Sequence, residues 1–227
     1  MKSGRLAERA RLHAALGDPG RLAIVDDLRV SDRSPSELVE RLGLASNLLA
    51  HHLDVLESVG AIERTRSSGD ARRRYVRLAS RALEVLGTAP ASIPREVLFV
   101  CTRNSARSQL AATLWRERTG CRARSAGTRP ATSVSDGARA AARRAGVSLD
   151  DAVPTDLGVV TKGVQVITVC DLVHEELDPA KDWWHWSIPA PSGRAAAFDA
   201  VVAELNERIN RFGRPHGSTA MERKPSS

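Results

Sequence analysis

The first hundred residues of this chain hold no cysteine, and all 227 hold three, at 101, 121 and 170. An odd number at irregular spacing, without a CxxC pair, excludes a disulfide framework and a zinc ribbon. Long apolar runs are missing as well, since nothing approaches the roughly 20 residues that span a bilayer. MKSGRLAERARLH at the start carries charge throughout, so no secretory signal is expected. No internal repeat is visible. These absences point to a cytoplasmic protein with reduced thiols, no membrane partner, no metal and no cofactor.

Positive charge is what the chain has in excess. A net charge of +7 and a pI near 10.1 point to a polyanionic partner or to anionic ligands. The residues GTAPASIPR, 87–95, break the composition with two prolines, a glycine and small side chains. A second break follows Phe212, where GRPHGSTAMERKPSS has nothing to bury. The expected organisation is a first domain at 1–88, a linker at 89–95, a second domain at 96–212 and a disordered tail at 213–227.

In the first domain, Asp18-Pro19 and Ser34-Pro35-Ser36-Glu37 are helix starts, the latter a capping box. The helix after Ser34 stops at Gly43, and another begins at Ser46-Asn47 with Leu49, Leu53 and Leu56 on one face. Ala61-Ile62 and Tyr75-Val76-Arg77-Leu78 are two short strands around TRSSGDARRR. Helix, turn, helix and basic hairpin make an α+β winged helix-turn-helix. Ser46, Asn47, Ala50, His51 and Asp54 lie opposite the leucines, placed for base edges, while Arg66, Arg72, Arg73 and Arg74 suit phosphates. An isolated arginine run is ordinarily a solvated loop; beside this helix pair it reads as DNA contact. Adjacent His51 and His52 cannot share a metal, so one is expected at DNA and the other in the core. LHAALGDPGRLAIVDDL, SPSELVERLGLASNLLAHHLDVLESVGAI and RRRYVRL resemble the ArsR family of transcriptional repressors over residues 5–86. The resemblance implies operator DNA as partner and a homodimer formed through the helices at 6–16 and 80–87. Many members sense thiophilic metals through cysteines in this domain, and none stands here.

The second domain alternates strand and helix: an apolar strand at 97–100, a helix at 107–119 and a short strand near 123–125. A helix at 134–145, a buried strand at 164–169 and a last helix at 195–212 follow. The pattern is a doubly wound α/β domain with a parallel sheet, whose ligand crevice lies at the strand C-termini, where Cys101 falls. In Cys101-x5-Arg107-Ser108 the loop of Thr102, Arg103, Asn104, Ser105 and Ala106 can turn its N–H groups onto a tetrahedral oxyanion. Arg107 adds a planar fork, Ser108 can bond the sulfur, Asn104 can brace the loop, and the donors together favour a thiolate. A lone cysteine at a strand end is ordinarily core; this spacing outweighs that reading. Cys121 is taken as structural, and Trp183, Trp184 and Trp186 as packing rather than a pocket wall.

FVCTRNSARSQLAATLW and Ser125-Ala126-Gly127-Thr128 resemble the low-molecular-weight protein tyrosine phosphatases and the thioredoxin-coupled arsenate reductases over 96–212. The resemblance implies Cys101 as nucleophile, Arg107 as anion clamp and arsenate or phosphate as ligand. Arg103 stands where glycine is frequent. The families' acid is an aspartate before proline, and Ala190 occupies that place, so the acid is expected to be lost; a missing proton donor costs about 10²–10⁴-fold. Cys170 stands at the second relay thiol, while Glu176-Leu177-Asp178 offers no third, leaving that step to a small-molecule thiol or thioredoxin. Two readings stay open: a regulator that senses arsenate or phosphate, or an active arsenate reductase or tyrosine phosphatase fused to its own regulator.

Overall fold

The computed structural model describes residues 2–80, 82, 91–177, 180 and 182–212. After α1 (Lys2–Leu16), the Asp18 carboxylate accepts the N–H of Arg21 at 2.9 Å and Pro19 opens α2 (Pro19–Leu28). Ser34 and Glu37 complete the capping box at the start of α3 (Pro35–Leu42), and Gly43 ends that helix at φ 66°. After a short turn, α4 (Ser46–Ser58) sends Leu49, Leu53 and Leu56 into a core shared with Ile24, Val25, Leu28 and Leu38. The hairpin is longer than the sequence pattern predicts. Its strands β1 (Ile62–Arg66) and β2 (Arg74–Leu78) pair from Ile62 with Leu78 out to Arg66 with Arg74. Of the expected dimer helices, 6–16 lies within α1, whereas most of 80–87 lies outside the described residues. The tail 213–227 and linker residues 89 and 90 lie outside them too; Ala91 donates its N–H to the Arg211 carbonyl at 3.0 Å.

The second domain runs β3 (Glu96–Cys101), α5 (Arg107–Thr119), β4 (Arg122–Gly127), α6 (Asp136–Arg144), β5 (Gln165–Thr168), α7 (Asp171–Leu177), β6 (Trp184–His185) and α8 (Ala195–Ile209). The sheet order is β4-β3-β5-β6, every pair parallel. Val97, Leu98, Phe99 and Val100 are all buried, as a strand covered on both faces requires. Trp186 packs against Phe99 and Trp115, and Trp184 stacks on Phe212 at 5.6 Å, so these two tryptophans are packing residues. Helix α7 and strand β6 have no counterpart in the sequence reading.

Residues 30–34, between α2 and α3, fasten the two domains together. Arg33 exchanges both backbone hydrogen bonds with Val76, extending the hairpin, while the Asp32 N–H donates to the His185 carbonyl at 2.7 Å, at the edge of the parallel sheet. The His185 N–H donates to Ser31 Oγ at 2.8 Å, and Trp186 Nε1 to the Val30 carbonyl at 2.9 Å. The Asp32 carboxylate accepts the Ser187 N–H at 2.8 Å and the Arg208 guanidinium at 2.6 Å, with both side chains buried. Burial opposes the Asp32 charge, yet Arg208 outweighs it and holds the carboxyl below the usual carboxylate range. Asp32→Ala strips the charge partner from buried Arg208, an expected loss of about 3–5 kcal/mol that a lowered urea midpoint will register.

A second network crosses the same boundary. His174 and His185 stack at 4.1 Å, and both Nδ1 atoms approach Thr168 Oγ1, at 3.0 and 2.8 Å. Their Nε2 atoms face Glu37 Oε1 of α3 at 3.2 Å and Asp171 Oδ1 of α7 at 3.0 Å. Burial pushes both carboxyls up, but hydrogen bonds from His174 and Ser34 to Glu37, and from His185 and Ser68 to Asp171, bring each down to about 2. Burial lowers His174 below its ordinary 6.5 against the pull of Glu37. With the folded value lowered, the unfolded chain binds the extra proton. The contribution of His174 is therefore complete above 6.5 and is lost as pH falls below it. The two carboxylates contribute above their ordinary range and lose that contribution as pH falls towards 2. Thermal midpoints are expected to drop between pH 7 and pH 5, with His174→Gln flattening that drop and also shrinking the share of the lower-pH drop that Glu37 contributes.

Candidate anion cradle and DNA-reading surface

Strand β3 ends at Cys101 and α5 starts at Arg107, with the loop between them gripped from outside. The carbonyls of Cys101, Thr102, Arg103 and Ser105 accept the N–H groups of Thr128, Arg129, Ala131 and Ser135 at 3.3, 2.8, 2.9 and 2.9 Å. In a trans peptide the carbonyl and the following N–H point opposite ways. The outward carbonyls therefore aim the N–H groups of Thr102, Arg103, Asn104 and Ala106 into the loop. The Asn104 N–H reaches Cys101 Sγ at 3.3 Å.

Asn104 is buried at φ 47°, a left-handed conformation that needs support in a residue other than glycine. Its side chain supplies that support. Nδ2 donates to Ser108 Oγ at 2.8 Å, while Oδ1 accepts Gln109 Nε2 at 3.0 Å and the Thr155 N–H at 2.8 Å. With Asn104 donating to it, Ser108 Oγ keeps its own proton for Cys101 Sγ, 3.0 Å away. Gly127 lies directly behind the loop: a Cβ there would meet the Thr102 carbonyl oxygen at 2.8 Å and Asn104 at 3.0 Å. Gln109 and Thr155 were not candidates from sequence. Gln109 reads as one more residue of α5, and Thr155 sits in a loop without a motif.

Arg107 donates from one NH group to the Ile188 carbonyl at 2.9 Å and from the other to Cys170 Sγ at 3.2 Å. Thr102 Oγ1 is 3.4 Å from the same sulfur. Cys101 and Cys170 are buried free thiols at the ends of neighbouring parallel strands. Ser105 and Ala106 are half-buried, and Arg103 and Ala190 are exposed. Among the described residues no group of three or more His, Cys, Asp or Glu is placed to hold a metal ion, and no helix is long and apolar enough to cross a membrane.

On the first domain, Ser46, Asn47, Ala50, His51 and Asp54 are exposed along α4, while His52 is buried with Nε2 3.8 Å from Asp18 Oδ1. Asp54 pairs with Arg64 at 2.6 Å. Arg66, Arg72, Arg73 and Arg74 are exposed, and Arg66 stands directly opposite Arg74. Like charges facing across a hairpin destabilise it, and an anion between them offsets that cost.

Residues 96–224, more than half of the chain, match the family model of the low molecular weight phosphotyrosine protein phosphatases. The chain belongs to that family. Residues 18–64 match the model of the bacterial regulatory proteins of the arsR family. Three solved structures illustrate the likeness of the phosphatase part. An arsenate reductase from Archaeoglobus fulgidus is 27% identical, with 51% of this chain and 96% of that one covered and a TM-score of 0.43. The YwlE arginine phosphatase from Geobacillus stearothermophilus is 24% identical, covering 52% and 90%, with a TM-score of 0.44. The tyrosine phosphatase Wzb from Escherichia coli K30 is 20% identical, covering 52% and 96%, with a TM-score of 0.45. No curated protein matches the sequence.

In this phosphatase-family loop the Asn104 brace is open to test. Asn104→Ala removes one hydrogen bond each from Ser108 Oγ and Gln109 Nε2 and leaves the Thr155 N–H without its acceptor. The expected loss is about 2–3 kcal/mol of stability. Calorimetric titration with phosphate should show weakened binding in the same variant.

Proposed function

We propose that this chain is a DNA-binding transcriptional repressor whose phosphatase-family domain senses arsenate or phosphate instead of turning it over. The proposed ligand site is the loop 102–106, with the inward N–H groups of Thr102, Arg103, Asn104 and Ala106, together with Cys101, Arg107 and Ser108. The proposed DNA contacts are Ser46, Asn47, Ala50 and His51 on α4 with Arg66, Arg72, Arg73 and Arg74 on the hairpin. Ala190 carries no proton to give a leaving oxygen, which supports binding without turnover. Leu6 and Leu22 are 67% and 46% exposed, apolar surface that a second copy would cover in a homodimer.

The observation that carries this reading is the shared interface. A ligand domain tethered by a linker alone has no means of biasing a reader. Here residues 31–33 join the reader's hairpin to the edge of the ligand domain's sheet, so a shift in one strains the other. A second reading, an arsenate reductase, draws on Cys170 Sγ lying 3.2 Å from Arg107. It requires a small-molecule thiol or thioredoxin in place of a third cysteine.

Fluorescence anisotropy on the DNA upstream of the chain's own gene tests the proposal, with arsenate, phosphate, arsenite and sulfate titrated at fixed ionic strength. One oxyanion should shift DNA affinity about tenfold, roughly 1.4 kcal/mol, and Arg107→Ala should abolish the shift. Phosphomonoester cleavage should stay at background and rise in Ala190→Asp. Arsenate reduction with added thiol, lost in Cys101→Ser, would put the reductase reading in its place.

A further inference from the structure

The turn of the DNA-binding hairpin is docked on α7. Ser68 donates its N–H at 2.7 Å and its hydroxyl at 2.9 Å to Asp171 Oδ2. The Asp70 N–H donates to Glu175 Oε2 at 2.8 Å. Ser67 Oγ and the Tyr75 hydroxyl donate to Glu175 Oε1 at 2.6 and 3.2 Å. Gly69 sits so close that an added Cβ would fall 2.6 Å from Glu175 Oε2 and 2.9 Å from the Leu172 backbone nitrogen. Backbone N–H groups and serine hydroxyls are the donors with which proteins hold DNA phosphates. Here two carboxylates of the same chain occupy them, between the strand ends that carry Arg66 and Arg74. The docked helix also sets the negative charges of Asp171 and Glu175 against the turn that carries the arginines, where they repel a duplex.

The same N-terminal end of α7 also touches the cradle. Cys170 immediately precedes the helix, and its carbonyl accepts the His174 N–H at 3.1 Å, closing the first turn. Its sulfur receives Arg107 at 3.2 Å and lies 3.4 Å from Thr102 Oγ1. A tetrahedral oxyanion bound by the loop takes the guanidinium for its own oxygens, since a charged bidentate pair outcompetes a single hydrogen bond to sulfur. The hold of Arg107 on Cys170 is then withdrawn.

We propose that α7 is an autoinhibitory clamp: Asp171 and Glu175 stand in for DNA phosphates on the hairpin turn, and an oxyanion in the Cys101 loop releases the turn to DNA. The proposal rests on the sensor reading above and fixes its sign, because the ligand strengthens DNA binding. A ligand of this kind acts only through its preference for the undocked state.

Gly69→Ala is the selective test. The conformation of Gly69 is outside the left-handed region, so the backbone accepts alanine, while the new methyl must push the turn off α7. No charge and no arginine changes. Glu175→Gln is the second variant, removing one clamp charge at constant size. Each should tighten DNA binding about tenfold without ligand, and phosphate should add little more, as expected when a competent state is already freed. Weaker or unchanged DNA binding by folded Gly69→Ala and Glu175→Gln overturns the clamp and leaves the repressor reading standing.

Hydrogen exchange without DNA separates the two failures. Phosphate should speed exchange at the N–H groups of Ser68 and Asp70 in the parent chain and not in Arg107→Ala. Unchanged exchange with phosphate bound overturns the clamp even if the chain binds no DNA. Failure of phosphate and arsenate to bind at all overturns both readings.

Discussion

Residues 31–33 belong to two sheets at once, and the rest of the molecule is arranged around that fact. A backbone that leaves one sheet edge must find partners for its N–H and carbonyl groups elsewhere. Arg33 finds them on β2, the Asp32 N–H finds one on β6, and the Ser31 hydroxyl accepts the His185 N–H beside it. The Asp32 carboxylate then brings Arg208 of α8 into the junction, where neither charge tolerates the loss of the other. From this junction the hairpin lies within reach of α7, and the strand ends of the parallel sheet face the same side as the reader's turn.

Local signals account for most of what the sequence made legible. Asp18 and the Ser34–Glu37 box mark helix starts because capping is satisfied within four residues. The C-x5-R-S loop is equally local, and Cys101, Asn104 and Ser108 stand in the contacts their spacing suggests. What escaped is long-range or short. The seven residues of α7 and the two of β6 are too few to set a period. Asp32 looks like one more surface aspartate in a loop, and only Arg208, 176 residues on, makes it a buried ion. Glu37 was legible as a cap, but its bond to His174 was not, since nothing near either residue names the other.

The cradle itself shows why binding and turnover separate easily in this fold. Holding a tetrahedral anion takes inward N–H groups, fixed here by the Asn104 brace and the outward pull on four carbonyls, and one guanidinium, held here by the Ile188 carbonyl and Cys170. Turnover adds a proton donor on a different segment, and that segment here ends in Ala190, Pro191 and Ser192. The parts that bind and the part that cleaves are therefore set by separate stretches of the chain. Cys170 fits either history, as a relay thiol or as the sulfur that parks Arg107.

Magnitudes separate what stays fixed from what can move. Breaking a buried ion pair such as Asp32–Arg208 costs about 3–5 kcal/mol, more than a small anion's preference between two states usually supplies. Coupling between sites typically runs to about 1–3 kcal/mol, the range of one or two hydrogen bonds to a charged group. The contact of Arg107 with Cys170 is of that second kind, and the five hydrogen bonds of the hairpin to Asp171 and Glu175 are ones that water or phosphate can replace in kind. The domains are thus joined most firmly at residues 31–33, while the N-terminal end of α7 meets both the cradle and the hairpin turn through weaker contacts. The large interaction sets the geometry, and the small ones are free to respond to a ligand.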